Sequence, residues 1–77
     1  MRTRAELESA ISQLWSEKLA VHPVGLYDNF FALGGDSLLA ADLLMDIYER
    51  LGVEVDAGVL FLKPTIAELV DDVLAAE

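Results

Sequence analysis

The residues best suited to chemistry in this sequence lie in the short segment Gly34-Gly35-Asp36-Ser37. Two glycines allow a sharp backbone turn and aspartate is a common helix cap, so Ser37 is predicted to place a hydroxyl at the start of a helix. The segment is not a phosphate-binding loop, because the lysine of that motif is absent. It is not a nucleophile elbow, since Leu39 stands where that motif requires glycine. On these residue types alone, a plain turn and cap is the simplest interpretation.

Groups that could catalyse a reaction or bind a metal elsewhere are too few to form a site. The chain has no cysteine, which excludes a disulfide framework and a thiolate metal site. His22 is the only histidine, so a multi-histidine metal cluster is excluded as well. Asp71 and Asp72 are adjacent, but such pairs usually form a solvated helix face. The sequence therefore predicts a protein that is not itself a catalyst.

The helix predicted after this junction, over residues 37–51, has two different faces. An advance of about 100° per residue groups six apolar residues within an arc of about 140°, which predicts the core face. These six are Leu39, Ala40, Leu43, Leu44, Ile47 and Leu51. The opposite side carries, in angular order, Ala41, Met45, Leu38, Glu49, Asp42 and Asp46. Two large apolar residues, Leu38 and Met45, thus lie about 20° apart among carboxylates.

An exposed apolar pair surrounded by acid is typical of a transient docking surface. Methionine adapts its shape to a partner, and carboxylates attract a basic one. We therefore predict that partners dock on Leu38, Ala41, Asp42, Met45 and Glu49. The alternative is that these are scattered exposed apolar residues of no functional meaning, which are common on protein surfaces.

Three further helical segments must position this junction. A first helix is predicted from about Arg4 to Ala20, because Thr3 and Glu6 have the capping-box spacing and apolar residues then recur at helical intervals. A short helix is predicted within residues 56–62, and a last one after Pro64-Thr65, ending at about Ala75. The sequence predicts an all-α, four-helix bundle with a long loop between helices one and two and a short third helix. That loop is predicted to lay four apolar residues on the helices, namely Tyr27, Phe30, Phe31 and Leu33.

Length and charge restrict the partners. The chain of 77 residues is a single small domain, with 14 Asp and Glu against 5 Lys and Arg for a net charge of −9. Nucleic acid is excluded as a partner, because binding phosphates requires a basic face. No apolar run is long enough to span a membrane and no signal peptide is recognisable, so we expect a cytoplasmic protein with no membrane partner. We also expect the protein to be a monomer.

The junction also carries a family resemblance. The stretch DNFFALGGDSLLA, residues 28–40, resembles the phosphopantetheine attachment region of carrier proteins, and is most similar to peptidyl carrier (thiolation) domains of nonribosomal peptide synthesis. Trp15 and the stretch KPTIAEL, residues 63–69, extend the resemblance to the whole chain. It implies a single carrier domain over residues 1–77, with the four-helix carrier fold and a 4′-phosphopantetheine arm on Ser37, beside Gly35 and Asp36.

The resemblance also implies partners and a task. A phosphopantetheinyl transferase would install the arm from coenzyme A. An adenylation enzyme would load an aminoacyl or acyl group as a thioester, and condensation or tailoring enzymes would then use it. The carrier itself would catalyse nothing and would present its tethered cargo at high effective concentration.

Three alternatives remain open at this stage. The acidic second helix, with Asp42 where many peptidyl carriers have a basic residue, is similar to that of fatty-acid or polyketide acyl carrier proteins. Asp36 also replaces a histidine that is frequent in elongation-type peptidyl carriers. The chain could instead be an unmodified acidic helical interaction domain, in which residues 34–37 form only a turn. A free-standing carrier is favoured over a domain of a larger synthetase, since the chain begins with Met1 and shows no flanking linker.

Overall fold

A computed structural model describes residues 2–76, and the regular structure in that range is entirely helical. The helices are α1 (Arg4–Leu19), α2 (Ser37–Leu51), α3 (Ala57–Leu62) and α4 (Ile66–Ala76). α1 packs against α2 and α4, while the short α3 bridges α2 and α4. This confirms the predicted all-α architecture, with its long loop after α1 and its short third helix. None of the helices within residues 2–76 has the length and apolarity needed to cross a membrane.

Side-chain caps set the beginnings of the helices. At α1 the Glu6 amide donates to Thr3 Oγ1 at 3.1 Å and the Thr3 amide donates to Glu6 Oε1 at 3.0 Å, which completes the predicted capping box. The hydrogen bond from the Thr3 amide is the main cause of a lowered pKa at the Glu6 carboxyl, and the Thr3 side chain adds to it by hydrogen bonding, because both favour the charged form. At α4 the Glu68 amide donates to Thr65 Oγ1 at 3.2 Å, and the Thr65 hydroxyl donates to Glu68 Oε1 at 2.7 Å.

The ends of α1 and α2 are both left-handed, although only one has a glycine. Gly52 follows α2 with φ 67°, and its amide donates to the Tyr48 carbonyl at 2.9 Å. Ala20 follows α1 with φ 56°, so α1 ends one residue before the predicted boundary. The Ser16 carbonyl accepts from the Ala20 and Val21 amides, and the Ser16 hydroxyl donates to the Val21 carbonyl. These bonds hold Ala20 in the left-handed conformation, which an alanine rarely adopts.

A single apolar core joins all four helices and the loop. Its fully enclosed members come from α1, the loop, α2, α3 and α4; the largest are Trp15, Phe30, Leu7, Ile11, Leu43, Ile47, Leu60, Ile66, Leu69, Val70 and Val73. Trp15 and Phe30 meet edge to face, with ring centroids 5.1 Å apart and an interplanar angle of 83°. The loop therefore contributes a central core residue and is part of the fold.

Two backbone hydrogen bonds attach the loop between α1 and α2 to the α3–α4 connection and to the first turn of α4. The Phe30 amide donates to the Pro64 carbonyl at 2.8 Å, and the Ala67 amide donates to the Leu26 carbonyl at 2.9 Å. Phe30 is buried, while Phe31 and Leu33 are half-buried against the core, as predicted.

The prediction for the fourth apolar loop residue, Tyr27, is wrong, because its side chain is 82% exposed. The neighbouring Leu26 is the residue that turns inward: it is half-buried and its carbonyl is bonded to α4. The chain turns at these two positions, so burial of Leu26 leaves Tyr27 directed into solvent.

Candidate functional site

Ser37 is the first residue of α2, and it is exposed. The cap is supplied by Asp36, whose Oδ1 accepts from the Leu39 amide at 2.9 Å, so the Ser37 hydroxyl is not needed to cap the helix. The amides of Ser37 and Leu38 lie in the first turn, where a helix provides no backbone acceptor. These amides and the positive end of the helix dipole favour an anion next to the serine oxygen.

The two glycines before this cap have different roles. Gly34 has φ 108°, a conformation that residues with a side chain rarely adopt. Gly35 instead lies against the core: a Cβ there would be 2.3 Å from Phe30 Cε2 and 2.8 Å from the Phe30 carbonyl oxygen. That carbonyl also accepts from the Gly35 amide at 3.0 Å. Gly35 therefore fixes the start of α2 on the buried Phe30 ring, and Gly34 supplies the turn.

The two faces predicted for α2 are present in the structure. Ala40, Leu43 and Ile47 are buried, and Leu39, Leu44 and Leu51 are half-buried against the core. On the other side, Leu38 is 72% exposed and Met45 is 61% exposed. Ala41, Asp42 and Glu49 are exposed around them. We call Leu38, Ala41, Asp42, Met45 and Glu49 the docking face.

The ion pairs found among residues 2–76 do not neutralise the two carboxylates of the docking face. Arg4 pairs with Glu8 and Asp71, and Arg50 pairs with Glu17, which places these contacts on α1, α4 and the last turn of α2. None of the four ion pairs found within residues 2–76 includes Asp42 or Glu49. Asp42 and Glu49 therefore lie beside the exposed apolar pair without an ion-pair partner among residues 2–76.

Asp46 does not belong to that acidic surface, contrary to the sequence-based placement. Its Oδ2 lies 2.9 Å from Lys18 Nζ on α1. The hydrogen bond and the charge of Asp46 raise the pKa of Lys18, because they favour the ammonium form. The pair closes the edge between α1 and α2, which only the packing of the two helices could show.

Sequence reasoning missed several exposed apolar residues. Tyr48 is 57% exposed on α2, and Phe61 and Leu62 are exposed at the end of α3. Phe61 stacks on the loop residue Phe31, with ring centroids 5.4 Å apart and planes inclined by 9°. The helical wheel of α2 places Tyr48 between the core face and Met45, so that position was a signal in the sequence. Nothing in the sequence indicated the Phe31–Phe61 stack.

Comparison with known proteins identifies the type of domain. Residues 9–73 match the family model described as "Phosphopantetheine attachment site". The chain belongs to this family. The match includes α2, α3, most of α1 and α4, and the whole of the loop that carries Gly35, Asp36 and Ser37.

Relatives and solved structures agree with the family match. The chain is 48% identical over 67 residues to malpibaldin synthetase of Mortierella alpina, covering 87% of this chain and 1% of the synthetase. It is 42% identical over 69 residues to surfactin synthase subunit 1 of Bacillus subtilis, covering 90% of this chain and 2% of the subunit. A peptidyl carrier protein, solved in complex with coenzyme A and the phosphopantetheine transferase Sfp, superposes with a TM-score of 0.86 at 35% identity, covering 90% of both chains.

These similarities show a carrier domain of the nonribosomal peptide synthetase type, with 4′-phosphopantetheine as its cofactor. The residues present fit that group. Ser37 offers an exposed hydroxyl, and the first-turn amides of α2, which have no acceptor within the helix, favour an anion beside it. The chain spans only about one or two hundredths of the length of the two synthetases it matches.

Proposed function

We propose that Ser37 is the residue to which the phosphopantetheine arm is attached. The observation that carries this proposal is that Ser37 is an exposed serine at a helix N-terminus. The other serines lie within α1, where Ser12 and Ser16 are half-buried and the Ser16 hydroxyl donates to the Val21 carbonyl. Ser9 is exposed but lies in the middle of α1, away from the free amides of a helix start.

The chain's own residues would hold and present the arm without catalysing its chemistry. The bound arm supplies the thiol that this cysteine-free chain lacks, on which an acyl group is held as a thioester. Ser37 anchors the arm, the first-turn amides of α2 stabilise the phosphodiester charge, and Asp36 and Gly35 keep that turn in place. Ser37 needs no activating base within the carrier, because the transferase can supply one.

We further propose that partner enzymes bind to the docking face. These partners would be the phosphopantetheinyl transferase, an adenylation enzyme, and condensation or tailoring enzymes acting on a monomeric carrier. Exposure of Leu38 and Met45 together, with carboxylates at Asp42 and Glu49 that take part in no ion pair among residues 2–76, supports a partner surface that is apolar at its centre and basic at its rim.

The attachment site is tested by measuring intact-protein mass after incubation with coenzyme A, magnesium and a broad-specificity phosphopantetheinyl transferase. The wild type should gain the mass of one phosphopantetheine group, and Ser37→Ala should gain none while keeping the helical circular dichroism spectrum. Ser9→Ala is the matched control, an exposed serine of the same domain, and should be modified like the wild type. Modification of Ser37→Ala would show that the site is wrong.

The docking face is tested with the same transferase by steady-state kinetics. Asp42→Lys and Glu49→Lys should each raise the KM for the carrier by about fivefold at low salt, because each reverses an unpaired surface charge. The effect should shrink at high salt. Asp72→Lys on α4, which changes the net charge equally, should leave KM nearly unchanged. Equal effects of all three substitutions would contradict a localised docking face.

A further inference from the structure

A groove adjoins the docking face, between the C-terminal half of α2 and the segment that leads into α3. It has a volume of about 560 Å³, and its lining residues are Leu44, Met45, Tyr48, Glu49, Glu54 and Val55. Met45 and Glu49 also belong to the docking face, so the two surfaces are continuous. A partner that covers Met45 would therefore also cover the mouth of the groove.

The lining combines three kinds of contact. Val55 is buried and Leu44 is half-buried, which gives the groove an apolar floor. Tyr48 and Met45 are largely exposed, and offer an aromatic ring and a flexible thioether. Glu49 and Glu54 are exposed, and neither takes part in an ion pair among residues 2–76. The carboxylates thus face solvent without a cation to neutralise them.

This combination matches one side chain in particular. A guanidinium group stacks on aromatic rings, binds carboxylates through a planar array of donors, and is more weakly hydrated than an ammonium group. The methylene stem that carries it packs on apolar surface. Tyr48, the two glutamates and the Leu44–Val55 floor offer these contacts within a single groove.

We propose that this groove, the arginine groove, receives an arginine side chain of a partner enzyme docked on Leu38 and Met45. The proposal rests on the proposed carrier function, and it adds the chemistry by which one partner residue is recognised. Charge complementarity and the continuity of the groove with the docking face favour a partner's arginine over other occupants. The thioester cargo and a second copy of the chain are the occupants that the test must distinguish from it.

The binding experiment uses the ¹⁵N-labelled protein without its arm, titrated with N-acetyl-arginine methylamide at low salt. Saturable amide shifts should be confined to residues 44–49 and 54–55. The citrulline analogue has the same shape without the charge, and should cause no comparable shifts. Equal shifts with both compounds, or arginine shifts spread over every acidic part of the surface, would overturn the proposal. Shifts in the same residues on dilution, without any probe, would identify a second copy as the occupant and overturn it too.

Substitutions separate specific recognition from general charge. Tyr48→Leu should weaken arginine binding about threefold because it removes the aromatic ring, whereas Tyr48→Phe should keep it. Glu54→Gln should weaken it by a similar factor. Asp72→Asn is the matched control, since it removes one carboxylate on α4, and should change nothing. If Glu54→Gln and Asp72→Asn weaken binding equally, the groove is not specific.

The outcome is separable from the test of the carrier function. Attachment of the arm is measured by mass on Ser37, whereas arginine binding is measured on the protein before any arm is attached. Attachment without arginine binding would leave the carrier function in place and remove the arginine groove. Arginine binding that appears only after an aminoacyl group is loaded would show that the cargo forms the site, which also overturns the proposal.

Discussion

Replacement of Gly35 by alanine tests how the start of α2 is held in place. An alanine Cβ would lie 2.3 Å from Phe30 Cε2, 2.4 Å from Cδ2 and 2.8 Å from the Phe30 carbonyl oxygen. Ordinary carbon contacts are about 3.5–4.0 Å, so the ring would have to move by more than about 1 Å. It has no room to do so, because Phe30 is fully buried and packs edge to face on Trp15.

The expected cost follows from these contacts. Overpacking a core by one methyl group costs about 1–3 kcal/mol, and a contact this short belongs at the upper end of that range. Alanine also restricts the unfolded chain, which offsets roughly 0.5 kcal/mol. We expect Gly35→Ala to lower the free energy of unfolding by about 2–3 kcal/mol. For a domain of this size, that lowers the melting temperature by about 15 °C.

Thermal and urea unfolding, followed by circular dichroism at the helical band, measure this cost. Gly52→Ala is the matched control: it has φ 67° but no atom within 4 Å of its Cβ, so only backbone strain of about 1 kcal/mol applies. Combining Gly35→Ala with Phe30→Leu, which removes the Cε2 contact, should cost at least about 1 kcal/mol less than the sum of the two single changes. Strict additivity, or a wild-type melting temperature for Gly35→Ala, would refute the steric account.

Three other perturbations have defined outcomes. Leu43 is fully buried on α2, so Leu43→Ala should lower the free energy of unfolding by about 3 kcal/mol in urea titrations. Met45 is on the exposed side, so Met45→Ala should change that free energy by less than about 0.5 kcal/mol. Similar costs for the two substitutions would mean that α2 is rotated about its axis. Thr3→Ala should raise the pKa of the Glu6 carboxyl part of the way toward its ordinary value in an NMR titration, since it removes the side-chain hydrogen bond but keeps the Thr3 amide, which is the larger cause of the lowering. Because that pKa is lowered by folding, the stabilisation is complete above the ordinary carboxyl pKa and is lost as pH falls through the folded value. A Glu6 pKa that returns fully to its ordinary value in Thr3→Ala would contradict the role of the Thr3 amide. Added sodium chloride should raise the melting temperature by screening a net charge of −9, and a flat or falling dependence would count against self-repulsion in the fold.

Local chemistry explains what could be predicted from the sequence. Thr3 with Glu6, and Thr65 with Glu68, mark helix starts because each pair satisfies amides within its own turn. The two faces of α2 follow from a fixed angle per residue, so burial of Leu43 and exposure of Met45 were predictable. The junction before α2 was predictable for the same reason, since turn and cap residues act on their immediate neighbours.

Contacts between distant residues explain what the sequence left open. Tyr27 and Phe30 are both aromatic residues of one loop, yet one is exposed and the other is at the centre of the core. The Phe30 amide donates to the Pro64 carbonyl and the Ala67 amide donates to the Leu26 carbonyl, and these bonds turn Phe30 inward and leave Tyr27 in solvent. The helical wheel of α2 places Asp46 on the exposed acidic side, but the packing of α1 brings Lys18 Nζ to 2.9 Å from Asp46 Oδ2. No spacing along the chain encodes either result.

The helices, their caps, the apolar pair Leu38 and Met45 and the serine at the start of α2 can be read from the amino-acid sequence, because these features depend on residues within one or two turns of each other. Three features emerge only from packing: the contact that forbids a side chain at Gly35, the pairing of Asp46 with Lys18, and the groove that Tyr48 and Glu54 line together. The physical reason is that steric contact, ion pairing and concavity depend on distances between segments that are far apart in the chain, and these distances exist only once the helices pack.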